Sequence, residues 1–355
     1  MVQEEHPRRG GIVAMRAEMY ERALQAKKNR GYSRQRDSFE PIQPTEEVVP
    51  QTRQITQTAR SIDFSPRQSI EDERDGVVPG ESALIESGTF YYMQGEYEKS
   101  FKSFNTALKT QLADPEHDEL MVAKILGHLG PVQLRRGNIE EAENALHESL
   151  SIKQRLKPQT LVADILNNLG TCANMRGDFP ASLEYYRAAL KDLRQKAGLR
   201  LDVCDTLFNI GRLEVQQKKW QSAIDVLSET WKITVEVYGE EHVYVAQTLE
   251  LIGYAQLSLG ETDSAMLSFT AALASYRQTH GPIHASVANA LFNIGLVREA
   301  KGDLVDAWEA FTTSRDLYLR LGTHGKRLSK CQKKLTKLRS AIARKNKSRL
   351  VAPRP

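Results

Sequence analysis

The pair of residues in this chain most suited by type and spacing to bind a metal is two histidines. His280 and His284 stand four residues apart, a spacing that on one helix brings two imidazoles together for a transition metal. A Gly-Pro pair lies between them and interrupts the helix. No cysteine or carboxylate ligand is close to them in the sequence. We therefore expect His284, and likewise His242 and His117, to cap the helix that follows, with no metal bound.

The three cysteines, Cys172, Cys204 and Cys331, have neither metal-ligand nor redox spacing. Such cysteines are typical of reduced thiols in an intracellular protein. Cys172 and Cys204 fall within helical patterns, where we expect them to be packed rather than reactive. No Gly-Lys-Ser/Thr sequence follows a glycine-rich loop, so no nucleotide site is indicated. The sequence predicts a non-catalytic protein that carries no cofactor.

Any functional residue of this chain must be positioned by a repeated helical unit. Six glycines recur every 40–42 residues, each at the same place in a helical pattern. Self-similarity at such a period indicates stacked helical pairs, since one pair cannot bury its apolar face alone. The landmark glycines are Gly88, Gly130, Gly170, Gly211, Gly253 and Gly295.

Other positions keep a fixed distance from the landmark glycine. Seven residues later a second glycine ends the helix, except at Lys218, because glycine readily adopts the left-handed conformation needed there. Small residues, at the landmark and twelve later, allow the two helices to approach closely. Large apolar residues sixteen later fill the space toward the next pair; they are Phe104, Leu146, Tyr186, Leu227, Phe269 and Phe311.

This pattern resembles the tetratricopeptide repeat family over residues 81–322. The period and the turns Gly239–His242 and Gly281–His284 resemble its kinesin light chain-like subclass. The resemblance implies an all-α, right-handed superhelical solenoid of six helix pairs with a C-terminal capping helix. Residues 1–80 show no sustained heptads, so a coiled coil and the motor-subunit role are not indicated. The resemblance is most complete in Asn168-Leu169-Gly170, Gly177-Asp178-Phe179, Ser182 and Tyr186.

The resemblance also implies a concave groove lined by the first helix of each repeat. Family members often carry an asparagine two residues before the glycine, where its amide meets the backbone of a bound peptide. An alternative is that these asparagines pair with a neighbouring repeat and stabilise the stack. The candidate groove residues are Asn168, Asn209 and Asn293, with His128 at the same offset, and further Asn167, Asn174, Arg135, Arg212 and Gln216.

The two ends of the chain differ from the repeats. Residues 1–80 are polar and proline-rich, which predicts a largely disordered leader with an amphipathic helix at 12–30. Residues 323–355 contain 12 Lys/Arg and no acid, and they predict a basic capping helix and tail. Subtracting these 12 from 49 leaves 37 basic against 45 acidic residues in 1–322, a local charge of −8.

The basic end has three interpretations. It is a solvated cap, or it binds an acidic protein surface or microtubule or serves as a nuclear-import signal, or it binds nucleic acid. The last is the weakest, since no aromatic residue follows Thr323 for base stacking. No apolar run is long enough to span a membrane.

Together these features predict a scaffold or adaptor that holds other proteins in the groove. The alternative is an autoinhibited switch in which the 12–30 helix occupies that groove. We expect a cytoplasmic protein, with nuclear or cytoskeletal association through the basic end.

Overall fold

The described part of the chain is helical throughout. A computed structural model describes residues 80–196, 200–322 and 325–351, and these form thirteen α-helices and no strand. The predicted leader, with its helix at 12–30, lies outside the described residues. The helices are α1 (Glu81–Met93), α2 (Tyr97–Ala113), α3 (Glu119–Arg136), α4 (Ile139–Leu156), α5 (Ala163–Met175), α6 (Phe179–Gln195), α7 (Arg200–Gln216), α8 (Trp220–Tyr238), α9 (Val243–Ser258), α10 (Thr262–His280), α11 (Ala285–Lys301), α12 (Leu304–Arg320) and α13 (Lys326–Val351).

The helices pair as the sequence predicts. The odd-numbered helices α1 to α11 each contain one landmark glycine and are called A helices; the even-numbered helices α2 to α12 are called B helices. These residues divide into two compact units, 80–237 and 238–351. The first unit contains four A/B pairs, and the second contains two pairs followed by α13. The prediction of an all-α repeat fold is confirmed.

Each landmark glycine lies directly beneath a side chain of its own B helix. A Cβ placed on Gly130 would stand 2.4 Å from Cγ of Leu146, and one on Gly170 would stand 2.6 Å from the ring of Tyr186. The same contact recurs in all six pairs. No residue with a side chain fits there without movement, because real Cβ atoms do not approach carbon this closely. The glycine therefore sets the distance between the two helices.

The small residue twelve positions after the landmark glycine lies at the same close approach of the A and B helices. All six of these residues are fully buried. In two pairs the residue is serine, and its hydroxyl donates to the carbonyl oxygen of the landmark glycine, at 2.7 Å both for Ser100 to Gly88 and for Ser182 to Gly170. A buried hydroxyl needs such a partner. Alanine at the other four positions makes the approach without that requirement.

The large residue over the glycine also contacts the next repeat. Leu146 clusters with Ile165 and Leu169 of α5, and Tyr186 with Ile210 and Leu213 of α7. One side chain thus joins its own pair to the following one, and the predicted filling of the space between pairs is confirmed at these two positions of the first unit.

In the second unit α13 covers the last pair. Leu328, Cys331, Leu335 and Leu338 are buried against the core that contains Phe311 and Tyr318. The Cys331 thiol lies 3.6 Å from the Ser314 hydroxyl of α12. The helix covers apolar surface that would otherwise face water at the end of the array.

Left-handed residues end the A helices as predicted. The residue seven after the landmark has positive φ in every pair, from 78° to 85° at the glycines and 59° at Lys218. Lys218 is the one non-glycine residue with positive φ among the described residues. An L-residue in this conformation suffers a clash between its Cβ and the backbone.

We expect Gly130→Ala to lower the free energy of unfolding by about 1–2 kcal/mol, because crowding against Leu146 outweighs the helix propensity that alanine adds. Urea denaturation followed by circular dichroism measures this. Leu146→Ala alone leaves a cavity and also destabilises. The double variant should be less destabilised than the sum of the two single variants. Strict additivity would contradict the contact.

Replacing Lys218 by glycine should stabilise the protein by about 0.5–1 kcal/mol, since relief of the left-handed strain exceeds the added freedom of the unfolded chain. Thermal and urea unfolding both report it. The reverse change at the equivalent position, Gly177→Lys, is the matched control and should destabilise. A Lys218→Gly variant that is no more stable than the parent would argue against strain at this turn.

Candidate functional site

Within each unit the A helices lie side by side. α1 contacts α3, α3 contacts α5 and α5 contacts α7 in the first unit, and α9 contacts α11 in the second. Residues two before and five after the landmark glycine are two turns apart and share the helix face opposite that glycine. We call this set the A-helix stripe. It comprises Glu86, Met93, His128, Arg135, Asn168, Met175, Asn209 and Gln216 in the first unit, and Leu251, Ser258, Asn293 and Ala300 in the second.

Asn168 is the stripe asparagine whose amide is available. It lies half-buried on α5, and no residue in the described ranges hydrogen-bonds its side chain. The preceding residue, Asn167, is engaged instead: its Nδ2 donates to Oγ1 of Thr206 on α7 at 2.8 Å. The Oδ1 of Asn167 is buried and has no partner among the described residues. The two adjacent amides thus have different environments, one open and one joining neighbouring A helices.

Asn209 lies deeper in the unit than sequence reasoning indicated. It is 4% exposed, and its Oδ1 accepts a hydrogen bond from Nη2 of Arg212 one turn later at 3.4 Å. Arg212 is itself 6% exposed. Gln216, two turns beyond Asn209, is exposed at the end of α7. The structure therefore separates these three candidates into a buried pair and one accessible amide.

His128 and Arg135 occupy the stripe on α3 and both contact aromatic rings. The His128 imidazole stacks on Phe104, with ring centroids 5.2 Å apart and planes 8° from parallel. Burial, together with the nearby Lys124, lowers the pKa of His128 to about 4. The Arg135 guanidinium lies 5.8 Å from the centroid of the Tyr97 ring. At neutral pH this part of the stripe offers an uncharged ring beside a cation.

Asn174 stands one turn after the landmark glycine and outside the stripe. It is half-buried on α5, and its Oδ1 has no hydrogen-bond partner among the described residues. An amide oxygen in this position needs a water or a ligand donor to satisfy it.

In the second unit the Asn293 side chain is held by a carboxylate that sequence reasoning missed. Its Nδ2 donates to Oε1 of Glu250 on the preceding A helix at 2.9 Å, and the Tyr276 hydroxyl donates to Oε2 at 2.9 Å. Burial raises the pKa of Glu250, while these two hydrogen bonds and the field of Arg327 oppose the shift. The one available signal was that Glu250 and Asn167 share the position three before the landmark glycine.

Two exposed methionines on the stripe were also missed. Met93 and Met175 end α1 and α5 and are 49% and 46% exposed. Methionine adapts its shape to apolar surfaces and is frequent where a protein binds varied partners. Both are five residues after a landmark glycine, the position that Arg135 and Gln216 occupy in the other two A helices of this unit.

The histidine turns have structural contacts. Nδ1 of His242 accepts from the backbone amide of Tyr244, and Nδ1 of His284 accepts from that of Ser286, so both cap the next helix as predicted. The prediction for His117 is wrong: Asp118 caps α3, while His117 lies over the turn against the Asp114 carbonyl. Aspartate follows directly and is the better cap.

Little in the described residues supports catalysis. No group of three or more His, Cys, Asp or Glu residues there could hold a metal ion. All three cysteines are buried, and burial raises the pKa of the Cys172 thiol to about 12 and also raises that of Cys331. Protonated thiols are poor nucleophiles. No described helix is both long and apolar enough to cross a bilayer.

Comparison with protein families agrees with this geometry. The tetratricopeptide repeat family matches residues 81–155, 121–195, 161–233 and 202–278, which together span 81–278, or 198 of the 355 residues. The chain belongs to the tetratricopeptide repeat family. A search of curated proteins found no match.

Solved structures share the fold at low sequence identity. BtubC (BKLC) from P. vanneervenii is 20% identical with a TM-score of 0.56, covering 64% of this chain and 93% of its own. A Rap protein complexed with Competence and Sporulation Factor is 12% identical with a TM-score of 0.54, covering 78% and 79%. A Podosopora anserina protein with nearly identical kinesin light chain TPR-like repeats is 14% identical with a TM-score of 0.51, covering 58% and 99%. These likenesses show the fold.

The buried His128 should make stability fall in acid. Its folded pKa of about 4 lies below the unfolded value near 6.5, so the unfolded chain takes up the proton first. The stabilisation is complete above about pH 6.5 and is lost as the pH falls toward 4, by up to about 3 kcal/mol. Comparing His128→Phe with the parent by urea denaturation across this range isolates the contribution.

The matched control is His147→Phe, because His147 is exposed on α4. That variant should keep the acid-sensitivity of the parent, whereas His128→Phe should lose part of it. Equal pH dependence in His128→Phe and the parent would show that the imidazole is not buried uncharged against Phe104.

Proposed function

We propose that this chain is a non-catalytic protein-interaction scaffold or adaptor that binds a segment of a partner protein along the A-helix stripe of the first unit. The observation that carries the proposal is the combination on the first unit of an available amide at Asn168 with exposed side chains at Met175 and Gln216. An amide donates and accepts at once, so it can hydrogen-bond a peptide backbone whatever its sequence. The methionine adds adaptable apolar contact.

The candidate residues then divide into two roles. Asn168, Gln216 and Arg135 contact the partner, with Asn174 and His128 beside them. Asn167 and Asn293 hydrogen-bond residues of neighbouring A helices and keep those helices in register. Asn209 and Arg212 form a buried pair within α7. This division favours the stacking alternative for Asn293 and groove contact for Asn168, while burial keeps Asn209 away from a partner.

The fold class supports a binding role. Arrays of this kind present one extended face built from successive repeats, and partners bind along it. The Rap neighbour was solved in complex with Competence and Sporulation Factor, an example of such a fold engaging a ligand. The ligand of the present chain is proposed only as a protein segment, because fold likeness does not transfer a partner.

One further proposal and two predictions concern the ends of the chain and its localisation. The autoinhibited switch stays a prediction, since residues 12–30 lie outside the described residues. We propose that basic helix α13 contacts an acidic protein surface, with a microtubule as one example, in preference to nucleic acid. Cytoplasmic localisation, with nuclear or cytoskeletal association through α13, stays a prediction as well.

Site-specific photocrosslinking tests the stripe. A photoreactive amino acid at Gln216 on α7 should capture partner protein, whereas the same group at exposed Ser222 on the B helix of that repeat should capture little. Asn168→Ala, combined with the Gln216 crosslinker, should lower the yield several-fold because a hydrogen-bonding amide is lost. Yields are measured by quantitative mass spectrometry after circular dichroism confirms folding.

Ser222 is a matched control because both positions are exposed and belong to the same repeat. Equal capture at Gln216 and Ser222, or an unchanged yield with Asn168→Ala, would place partner binding elsewhere on the chain.

A further inference from the structure

Helix α13 carries cations along the face opposite its buried side. Four of these cations follow one another at spacings of three, four and seven residues, which places them along one narrow stripe of the helix surface. All are exposed, and the stripe extends over about 21 Å at 1.5 Å per residue. We call this the basic stripe; it consists of Lys330, Lys333, Lys337 and Arg344.

The opposite face of the same helix is buried in the second unit. Cys331, Leu335 and Leu338 are at most 5% exposed and pack on the core of the last repeat. This contact fixes the rotation of the helix about its axis, so the basic stripe is held facing outward. A helix free in solution would present both faces.

The charges on the stripe are not neutralised by the described part of the chain. None of Lys330, Lys333 and Lys337 has an ion-pair partner among the described residues, and no acidic residue occurs from 323 to 355. Lys334 follows Lys333 in sequence and lies outside the stripe. Its Nζ is 2.6 Å from a carboxylate oxygen of Glu299 on α11. Within the described ranges, the lysine that faces the unit is thus paired and the three outward ones are not.

This arrangement does not stabilise the helix. Like charges three and four residues apart repel one another, and the first turn of α13 carries cations and no acid, against the helix dipole. A mixture of acidic and basic residues would keep the surface equally soluble without that repulsion. The outward stripe is therefore better explained by an anionic partner than by folding.

We propose that the basic stripe binds an acidic, glutamate- or aspartate-rich polypeptide segment in extended conformation. This deepens the proposed contact of α13 with an acidic surface and rests on it. Neighbouring cations are about 4.5–6 Å apart along the first two steps of the stripe. Alternate side chains of an extended peptide repeat at about 6.6 Å on one face, so a short acidic segment can place a carboxylate near each cation.

Other anionic partners fit less well. Insertion into a lipid surface requires a free apolar face, and that of α13 is buried. From Thr323 onward there is no Phe, Tyr or Trp side chain to stack on bases. The stripe is mainly lysine, a point charge, whereas the forked donor group of arginine is the usual choice for phosphate recognition.

Fluorescence anisotropy with the full chain tests the proposal. The probe is a labelled polyglutamate peptide long enough to span the stripe, titrated at about 50 mM and about 200 mM salt. The triple variant Lys330→Gln/Lys333→Gln/Lys337→Gln keeps helix propensity but removes three cations. We expect its Kd for the peptide to rise about ten-fold at the lower salt concentration.

Two matched variants exclude simpler causes. Lys102→Gln/Lys109→Gln/Lys191→Gln removes the same charge from exposed positions on α2 and α6 and should change Kd by less than about two-fold. Lys330→Arg/Lys333→Arg/Lys337→Arg retains the charge and should bind the peptide. Circular dichroism establishes that each variant is folded at the temperature of the binding measurement.

Three outcomes would overturn the proposal. These are equal losses in the stripe and control variants, tighter binding of a duplex DNA probe than of the peptide at the same salt concentration, and no peptide binding even at low salt. Crosslinking through Gln216 is measured separately on α7. A failure of the basic stripe therefore leaves partner binding by the A-helix stripe standing, and the reverse also holds.

Discussion

Contact between a glycine backbone and a large side chain determines the rest of this structure. In each pair the B helix approaches until its Leu, Phe or Tyr side chain lies on the landmark glycine of the A helix. The same side chain reaches the next repeat, as Tyr186 does with Leu213. One contact thus sets both the spacing within a pair and the packing between pairs. This is why the glycine and the large residue sixteen positions later recur together in every repeat.

The contact also decides which residues can reach a partner. The glycine side of each A helix is closed, so exposed side chains such as Met175 and Gln216 lie on the opposite face. Not all residues on that face are equally available, because neighbouring repeats use some of the polar groups. Asn293 is bound by Glu250, whereas the amide of Asn168 stays open toward solvent. The same residue type at the same offset therefore serves two purposes in one chain.

Charge is divided along the chain in a way that the fold makes useful. Residues 1–322 carry an excess of acid, while the last 33 residues contain 12 Lys/Arg and no Asp or Glu. Packing of α13 on the last repeat buries its apolar face and turns the lysines outward. A helix that caps the core thereby presents a charged surface. The two roles are compatible because they use opposite faces of one helix.

The sequence by itself determined the helices, their pairing and the residues at which the two helices of a pair make contact. Local stereochemistry favours glycine at turns with positive φ, small residues where helices approach closely and large residues above them. These positions can therefore be located by counting residues from each landmark glycine. Only the tertiary structure decided that Asn209 is buried, that Glu250 reaches Asn293 and that Met175 is exposed on the stripe. These facts depend on the rotation and spacing of helices about 40 residues apart in sequence. A difference of one ångström in that packing makes or breaks a hydrogen bond without altering the repeat pattern.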